Sequence, residues 1–171
     1  SRVGFIVEGI PLPTNFVSAS VRLRAYDLIR LFKQDPYYKL EIYRPWRKYD
    51  AVIFQKRGAR SLKLAKRLRQ SGTRIFLDMN ANLFDRSLYG KGYFKSFDEN
   101  YHSLISEFCR LSDAIVVTSP YLKEVASLSF PDKKTFFIPE IIESQFFSVR
   151  KNPKDILQKG MIRFVYCGYS A

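Results

Sequence analysis

Residues 49–78 read YDAVIFQKRGARSLKLAKRLRQSGTRIFLD. Two short runs, Ala51–Phe54 and Arg74–Leu77, flank a helical pattern. Each run is brief, mostly β-branched or aromatic, and bounded by polar or turn residues, which predicts strands. Between them Leu62, Ala65 and Leu68 recur at helical spacing over Ala59–Gln70, and Gly72 follows as a suitable C-terminal stop. Strand, helix and strand in this order predict a crossover unit with parallel strands. Nearly continuous apolar runs fit strands buried on both faces, as a parallel sheet requires.

The same alternation extends in both directions. Val3–Val7 and Leu40–Tyr43 read as strands upstream, and Ala114–Thr118 and Thr135–Ile138 downstream. Ser18–Lys33 places Val21, Ala25, Leu28 and Phe32 at i, i+4, i+7 and i+11, one apolar stripe of a helix. Asn100–Arg110 reads as another helix. Ser119-Pro120 opens a further one, with Ser119 as N-cap and Pro120 at the first helical position. The expected fold is therefore α/β: a doubly wound, parallel, Rossmann-like sheet with helices on both faces and right-handed crossovers. Ligands of such sheets gather beyond the carboxyl ends of the strands. Function is accordingly sought in Glu8–Val17, Gln55–Gly58, Asp78–Phe97, Ser119–Tyr121 and Pro139–Glu143. The polar stretch ending in SVRKNPKDILQKG reads as a linker, and Met161–Cys167 as one further strand. The expected organisation is a domain over 1–143, a linker over 144–160, and the first strand of a second domain over 161–171.

A chain of 171 residues suits one domain that buries roughly 70% of the surface its unfolded form exposes. With 46% hydrophobic and 16% aromatic residues, the composition is globular rather than disordered. No apolar run approaches the roughly 20 residues of a membrane span. Ser1-Arg2 leads straight into VGFIV with no charged n-region or cleavage site, so no signal peptide is expected. Cys109 and Cys167 sit in apolar elements without CxxC spacing, which predicts reduced, buried thiols and a cytoplasmic setting. The net charge of +13 points to an anionic partner: a membrane surface, a nucleic acid or a phosphorylated substrate. Charge alone leaves all three open.

The order of motifs carries more. VGFIVEGI, SASVRLRAYDLIRLF, YDAVIFQKRG, GTRIFLDMNANLFD, LSDAIVVTSPYLKEVA, KTFFIPEIIES and IRFVYCGYSA follow one another along nearly the whole chain. In that sequence they resemble the N-terminal half of glycosyltransferases with the two-domain GT-B fold, of the group 1, family 4-like type. The resemblance implies two Rossmann-like domains facing across a cleft, the first receiving the acceptor and the second binding the nucleotide sugar. Residues 1–143 are then an acceptor-binding domain and 144–160 the interdomain linker. Residues 161–171 begin the nucleotide-sugar domain, with Gly168 at its donor-binding turn. The chain is on this reading an acceptor-domain fragment, inactive in transfer by itself. The implied acceptor is a glycan, a lipid or a small molecule, and the donor a nucleotide sugar acting as substrate. No tightly bound cofactor and no metal are expected, since a lone carboxylate is a poor divalent site. A cytoplasmic enzyme in peripheral contact with an anionic membrane is implied, with nucleic acid an unexpected partner. Two positions depart from the family pattern: Pro139-Glu140 stands for Pro-Asn-Gly, and Asp78-Met79-Asn80 for Asp-x-Asp-Asp.

Candidate site residues follow from placement at strand ends. Arg22 and Arg24 fall in the first turns of the Ser18 helix, where cations oppose the helix dipole. Either Ser18, Ser20 and Arg22 form an anion site for a phosphate of donor or acceptor, or one arginine pairs with a strand-end acid such as Asp78. Glu8-Gly9 follows the first strand, and Gly9 permits close backbone approach or an ordinary turn. Asp78, Asn80 and Asn82 follow the fourth strand, suited to sugar hydroxyls or to Asx turns. Ser119 and Glu140 complete the acceptor or phosphate-binding set. His102 is the one histidine, on a helix as a surface or interhelical side chain. With its one histidine in that helical position, no Ser/His/Asp set is credible, and no catalytic residue is assigned.

Three stretches bear on partners. YYKLEIYRPWRKY (Tyr37–Tyr49) and LYGKGYFKSF (Leu88–Phe97) interleave aromatics with bases. That mixture suits stacking on single strands, contact with lipid headgroups, or cover for the core beneath a loop, the last favoured for Tyr37–Tyr49. From Ala51 to Leu77 there are eight basic residues and no acidic one, a solvated outer face or a membrane-facing patch. The alternative to a glycosyltransferase is a non-catalytic Rossmann-like module that binds nucleic acid or another polyanion through this basic surface.

Overall fold

The structure is a computed structural model and describes residues 1–7, 21–55, 58–91 and 98–140, all within one compact unit, Ser1–Ile141. The expected linker, the strand at 161–171, and Glu8, Gly9, Ser18, Ser20, Cys167 and Gly168 lie outside the described residues. The apolar runs become β1 (Arg2–Ile6), β2 (Lys39–Ile42), β3 (Ala51–Phe54), β4 (Arg74–Met79), β5 (Ala114–Val117) and β6 (Lys134–Phe137). They form one six-stranded sheet in the order β2-β1-β3-β4-β5-β6. Every pairing is parallel, so the α/β doubly wound expectation holds.

Helices fill the crossovers. A π-helical turn, Arg22–Tyr26, runs directly into α1 (Asp27–Leu31) and carries the chain from β1 to β2. α2 (Ala59–Gln70), α3 (Glu99–Leu111) and α4 (Pro120–Ser129) carry β3 to β4, β4 to β5 and β5 to β6. Asp98 caps α3 by accepting from the Tyr101 amide at 2.8 Å, and Ser119 caps α4 by accepting from the Leu122 amide at 3.1 Å. Gly72, at φ 86°, ends the Ala59 helix in the left-handed conformation that favours glycine.

The main core lies on one face of the sheet. Val52, Phe54, Ile75, Leu77, Ile115 and Val117 meet Leu62 and Ala65 of α2, Ile105, Phe108 and Cys109 of α3, and Leu122 and Ala126 of α4. Cys109 is buried within this core. No helix fills the β2–β3 connection, yet the chain must cross β1 on that same face. The segment 43–50 does so by laying Tyr49 flat against Gly4, where a Cβ would sit 2.9 Å from Tyr49 Cε1. Glycine is therefore demanded here by close approach rather than by backbone conformation.

One helix departs from expectation. The Ser18–Lys33 stripe predicts a regular α-helix to Lys33, whereas the described part is π-helical over Arg22–Tyr26 and ends at Leu31. The wider turn brings Arg24 and Ala25 inward together, and it leaves Phe32, expected on the stripe, exposed beyond the helix end. The aromatic stretch Tyr37–Tyr49 divides. Tyr43 and Tyr49 stack with ring centroids 5.2 Å apart, while Tyr37 and Trp46 are 76% and 78% exposed.

Candidate functional site

Parallel strands point all their carboxyl ends one way, and the crevice opens where successive crossovers leave in opposite directions. Here the chain leaves β1 toward β2 and leaves β3 toward β4, so the switch lies between β1 and β3. Ile6 and Phe54 are its facing residues. Gln55 follows at once, its amide N–H donating to the Ile6 carbonyl at 2.9 Å, which draws it into the end of the sheet.

Beside this point sits a buried polar cluster. Arg24 projects from the π-helical turn and Asp78 from the carboxyl end of β4, and they are 6% and 5% exposed. Arg24 Nε donates to Asp78 Oδ1 and Oδ2 at 2.9 and 2.8 Å. Arg24 Nη2 donates to Oδ1 as well, making a side-on bidentate pair. Arg24 Nη1 donates to the Ile138 carbonyl at 3.0 Å, just past β6. One guanidinium thus spans β4 to β6 beneath the start of the Pro139-Glu140 segment. Gln55 Nε2 donates to Asp78 Oδ2 at 2.8 Å. Asp78 is therefore held by three donor nitrogens, Nε and Nη2 of Arg24 and Nε2 of Gln55.

Two features leave the cluster unfinished. Gln55 is 8% exposed and its Oε1 has no hydrogen-bond partner among the described residues. An orphan acceptor in that position costs about 1–3 kcal/mol unless a donor arrives. Next to the pair, Phe5, Leu23, Leu28, Ile53, Val116 and Pro139 enclose, with Arg24 and Asp78, a largely apolar cavity of about 70 Å³. The cavity can shelter a small uncharged group, while Gln55 Oε1, a buried acceptor outside its lining, would take a hydroxyl or amide donor only where one reaches it. No group of three His, Cys, Asp or Glu among the described residues is placed to hold a metal ion.

The remaining candidates fall as follows. Of the two arginines, Arg24 takes the pairing with Asp78, and Arg22 is exposed without an ion pair among the described residues. Asn80 and Glu140 are exposed. Asn82 adopts the Asx-turn alternative, its Oδ1 accepting from the Phe84 amide at 3.3 Å, while its Nδ2 donates to the Tyr121 hydroxyl at 3.2 Å. Ser119 has its hydroxyl engaged in the α4 cap. His102, on α3, lies edge-on to Tyr89 at 5.8 Å. Gln55 opens the segment Gln55–Gly58 where function was sought, but it was not named among the site residues. Its signal was present: a lone amide placed directly after the apolar run Ala51–Phe54, where a buried strand meets the crevice.

Comparison with family models, curated proteins and solved structures finds no match for this chain. Its fold, a six-stranded all-parallel sheet flanked by helices, places it in the Rossmann-like α/β class on geometry alone. No helix among the described residues is long and apolar enough to cross a membrane.

Proposed function

We propose that this chain supplies the acceptor-binding side of a two-domain GT-B glycosyltransferase, which moves a sugar from a nucleotide donor to a hydroxyl of a glycan, lipid or small molecule. The observation that carries this reading is the Arg24–Asp78–Gln55 cluster, with its unpaired buried acceptor, at the carboxyl edge of the sheet. The motif order along the chain adds the resemblance to the group 1 family. Gln55 Oε1 is suited to accept from an acceptor hydroxyl, and Arg24 and Asp78 hold its amide in one orientation. Arg22, exposed on the same turn, is the local cation available to a departing nucleotide diphosphate. Catalysis of this kind rests on positioning and on electrostatic stabilisation of the leaving group. The nucleotide sugar itself belongs to a second Rossmann-like half in such enzymes, which act in the cytoplasm or against its membrane.

The test is ligand-observed NMR on residues 1–171 with oligosaccharide, lipid-linked and polyol acceptors, and separately with nucleotide sugars. Binding of one acceptor class, weakened about tenfold by Gln55→Leu with the fold intact, is the expected result; a lost hydroxyl bond in a buried site is worth roughly that factor. Sugar transfer by residues 1–171 alone would sink the reading. So would tight oligonucleotide binding with a steep salt dependence, which belongs to the polyanion-binding alternative.

A further inference from the structure

Phe5, Ile53, Asp78 and Val116 stand on the sheet face opposite the main core, since each alternates along its strand with residues packed into that core. The turn Arg22–Tyr26 and α1 lie on this second face. Between them and the strands is the cavity of about 70 Å³, with Leu23 and Leu28 on its helical side and Arg24 and Asp78 in its wall. A water takes about 30 Å³ of liquid, so the space suits about two waters or a ligand group of that bulk. Water is poorly served there. A buried water needs about two to four polar partners, and apolar side chains make most of this wall.

The polar chemistry of the wall is one-sided. Of the five N–H bonds of the Arg24 guanidinium, Nε and Nη2 spend one each on Asp78, and Nη1 spends one on the Ile138 carbonyl. One N–H on Nη1 and one on Nη2 are left without an acceptor among the described residues. Asp78 has no such reserve. Each of its oxygens already accepts twice, which fills the lone-pair sites of a carboxylate. The side chains of the cavity therefore offer donors and no free acceptor. The Arg24–Asp78 pair is also neutral as a unit, so an anion meets no net charge. The group that fits is small, uncharged, apolar at its tip, and an acceptor without being a donor.

We infer that the cavity is an acyl pocket, which takes the acetyl end of an N-acetylated sugar with the carbonyl oxygen accepting from Arg24 and the methyl against Phe5, Ile53 and Val116. A hydroxymethyl group is the poorer fit. Its own O–H finds no acceptor among the lining side chains, and a buried unpaired donor costs about tenfold in affinity. The inference rests on the acceptor-binding reading and narrows that acceptor to N-acetylated sugars.

The experiment is a ligand-observed NMR titration of residues 1–171 with the methyl glycosides of N-acetylglucosamine, N-acetylgalactosamine and glucose, and with N-methylacetamide as an acyl probe that carries no sugar. Burying the methyl is worth about fourfold and a hydrogen bond to a charged donor about tenfold. An N-acetylated glycoside should therefore bind about fortyfold more tightly than the glucoside, with saturation transfer strongest at the acetyl methyl. Val116→Ile adds a methylene to the wall and should cut this preference below about threefold, while the unfolding midpoint holds or rises, as cavity filling allows. Equal binding of the N-acetylated and plain glycosides, or a preference that survives Val116→Ile, would overturn the acyl pocket and leave the acceptor-binding reading standing. N-methylacetamide bound by the wild type and excluded by Val116→Ile, with every glycoside ignored, would uphold the pocket and count against the acceptor-binding reading instead. Absence of binding by all four probes would overturn the inference outright.

Discussion

Arg24 ties the ends of β4 and β6 together, so its loss should be felt across the sheet. Arg24→Ala leaves the Asp78 carboxylate buried with Gln55 as its one remaining partner among the described residues. Breaking a buried pair from one side costs about 3–5 kcal/mol, and urea unfolding at neutral pH should register a loss of that size. Arg24→Met with Asp78→Leu removes both charges and should recover most of it, because an apolar pair of similar volume avoids desolvation altogether. Gly4 is the second position of this kind. Tyr49 cannot swing away from an added methyl, since its hydroxyl accepts from the Arg44 amide at 2.9 Å and donates to Glu41 Oε1 at 3.2 Å. Gly4→Ala should cost about 1–3 kcal/mol by overpacking, read as a lowered urea midpoint. At this scale the sequence was only partly legible. That one arginine would take Asp78 was foreseeable from a cation near a strand-end acid. Which arginine took it depended on a π-helical turn, and no periodicity in RLRAY announces one.

Among the elements, those with a local cause were the most legible. Ala51–Phe54 and Ala59–Gln70 match their expected bounds residue for residue, because short β-branched runs and a three-residue apolar stripe leave few alternatives. The Ser119-Pro120 start of α4 was equally plain, since capping chemistry is written in adjacent residues. That same legibility shifts the weight on Ser119. Its hydroxyl accepts from the Leu122 amide, so Ser119→Ala should cost about 1 kcal/mol of stability. A thermal melt resolves this, and acceptor binding measured alongside should be unchanged if capping is its whole role. The β2–β3 connection was not legible, because a crossover without a helix has no period to detect. Only the packing of Tyr49 on Gly4 explains how eight residues, 43–50, return the chain across β1.

At the scale of the whole molecule, two partly buried groups should set the pH limits of the fold, one at each end. Glu41, on the edge strand β2, is pushed upward by burial. The hydrogen bond and charge of Arg47 outweigh this, with the Tyr49 hydroxyl and Arg2, and hold its carboxyl below the ordinary 4.5. The folded state thus prefers the ionised form. The stability this contributes is present above the unfolded value and lost as pH falls below 4.5 through the folded value. Tyr89 is the reverse case. Burial, with the neighbouring Tyr101, Cys109 and Glu99, raises its phenol from 10.0 to about 12, while its hydroxyl donates to the Leu83 carbonyl at 2.8 Å. A raised folded value contributes stability in full below the unfolded value, and that contribution drains away as pH climbs from 10.0 toward about 12. Urea midpoints taken across pH should therefore show a plateau with an acid shoulder and an alkaline shoulder. Glu41→Gln should flatten the acid shoulder and Tyr89→Phe should shrink the alkaline one, where Tyr49, its phenol raised by burial and by the Glu41 carboxylate it donates to, contributes as well. An alkaline shoulder left undiminished by Tyr89→Phe would mean that another tyrosine, or deprotonation of the many lysines on this +13 chain, sets the upper limit instead.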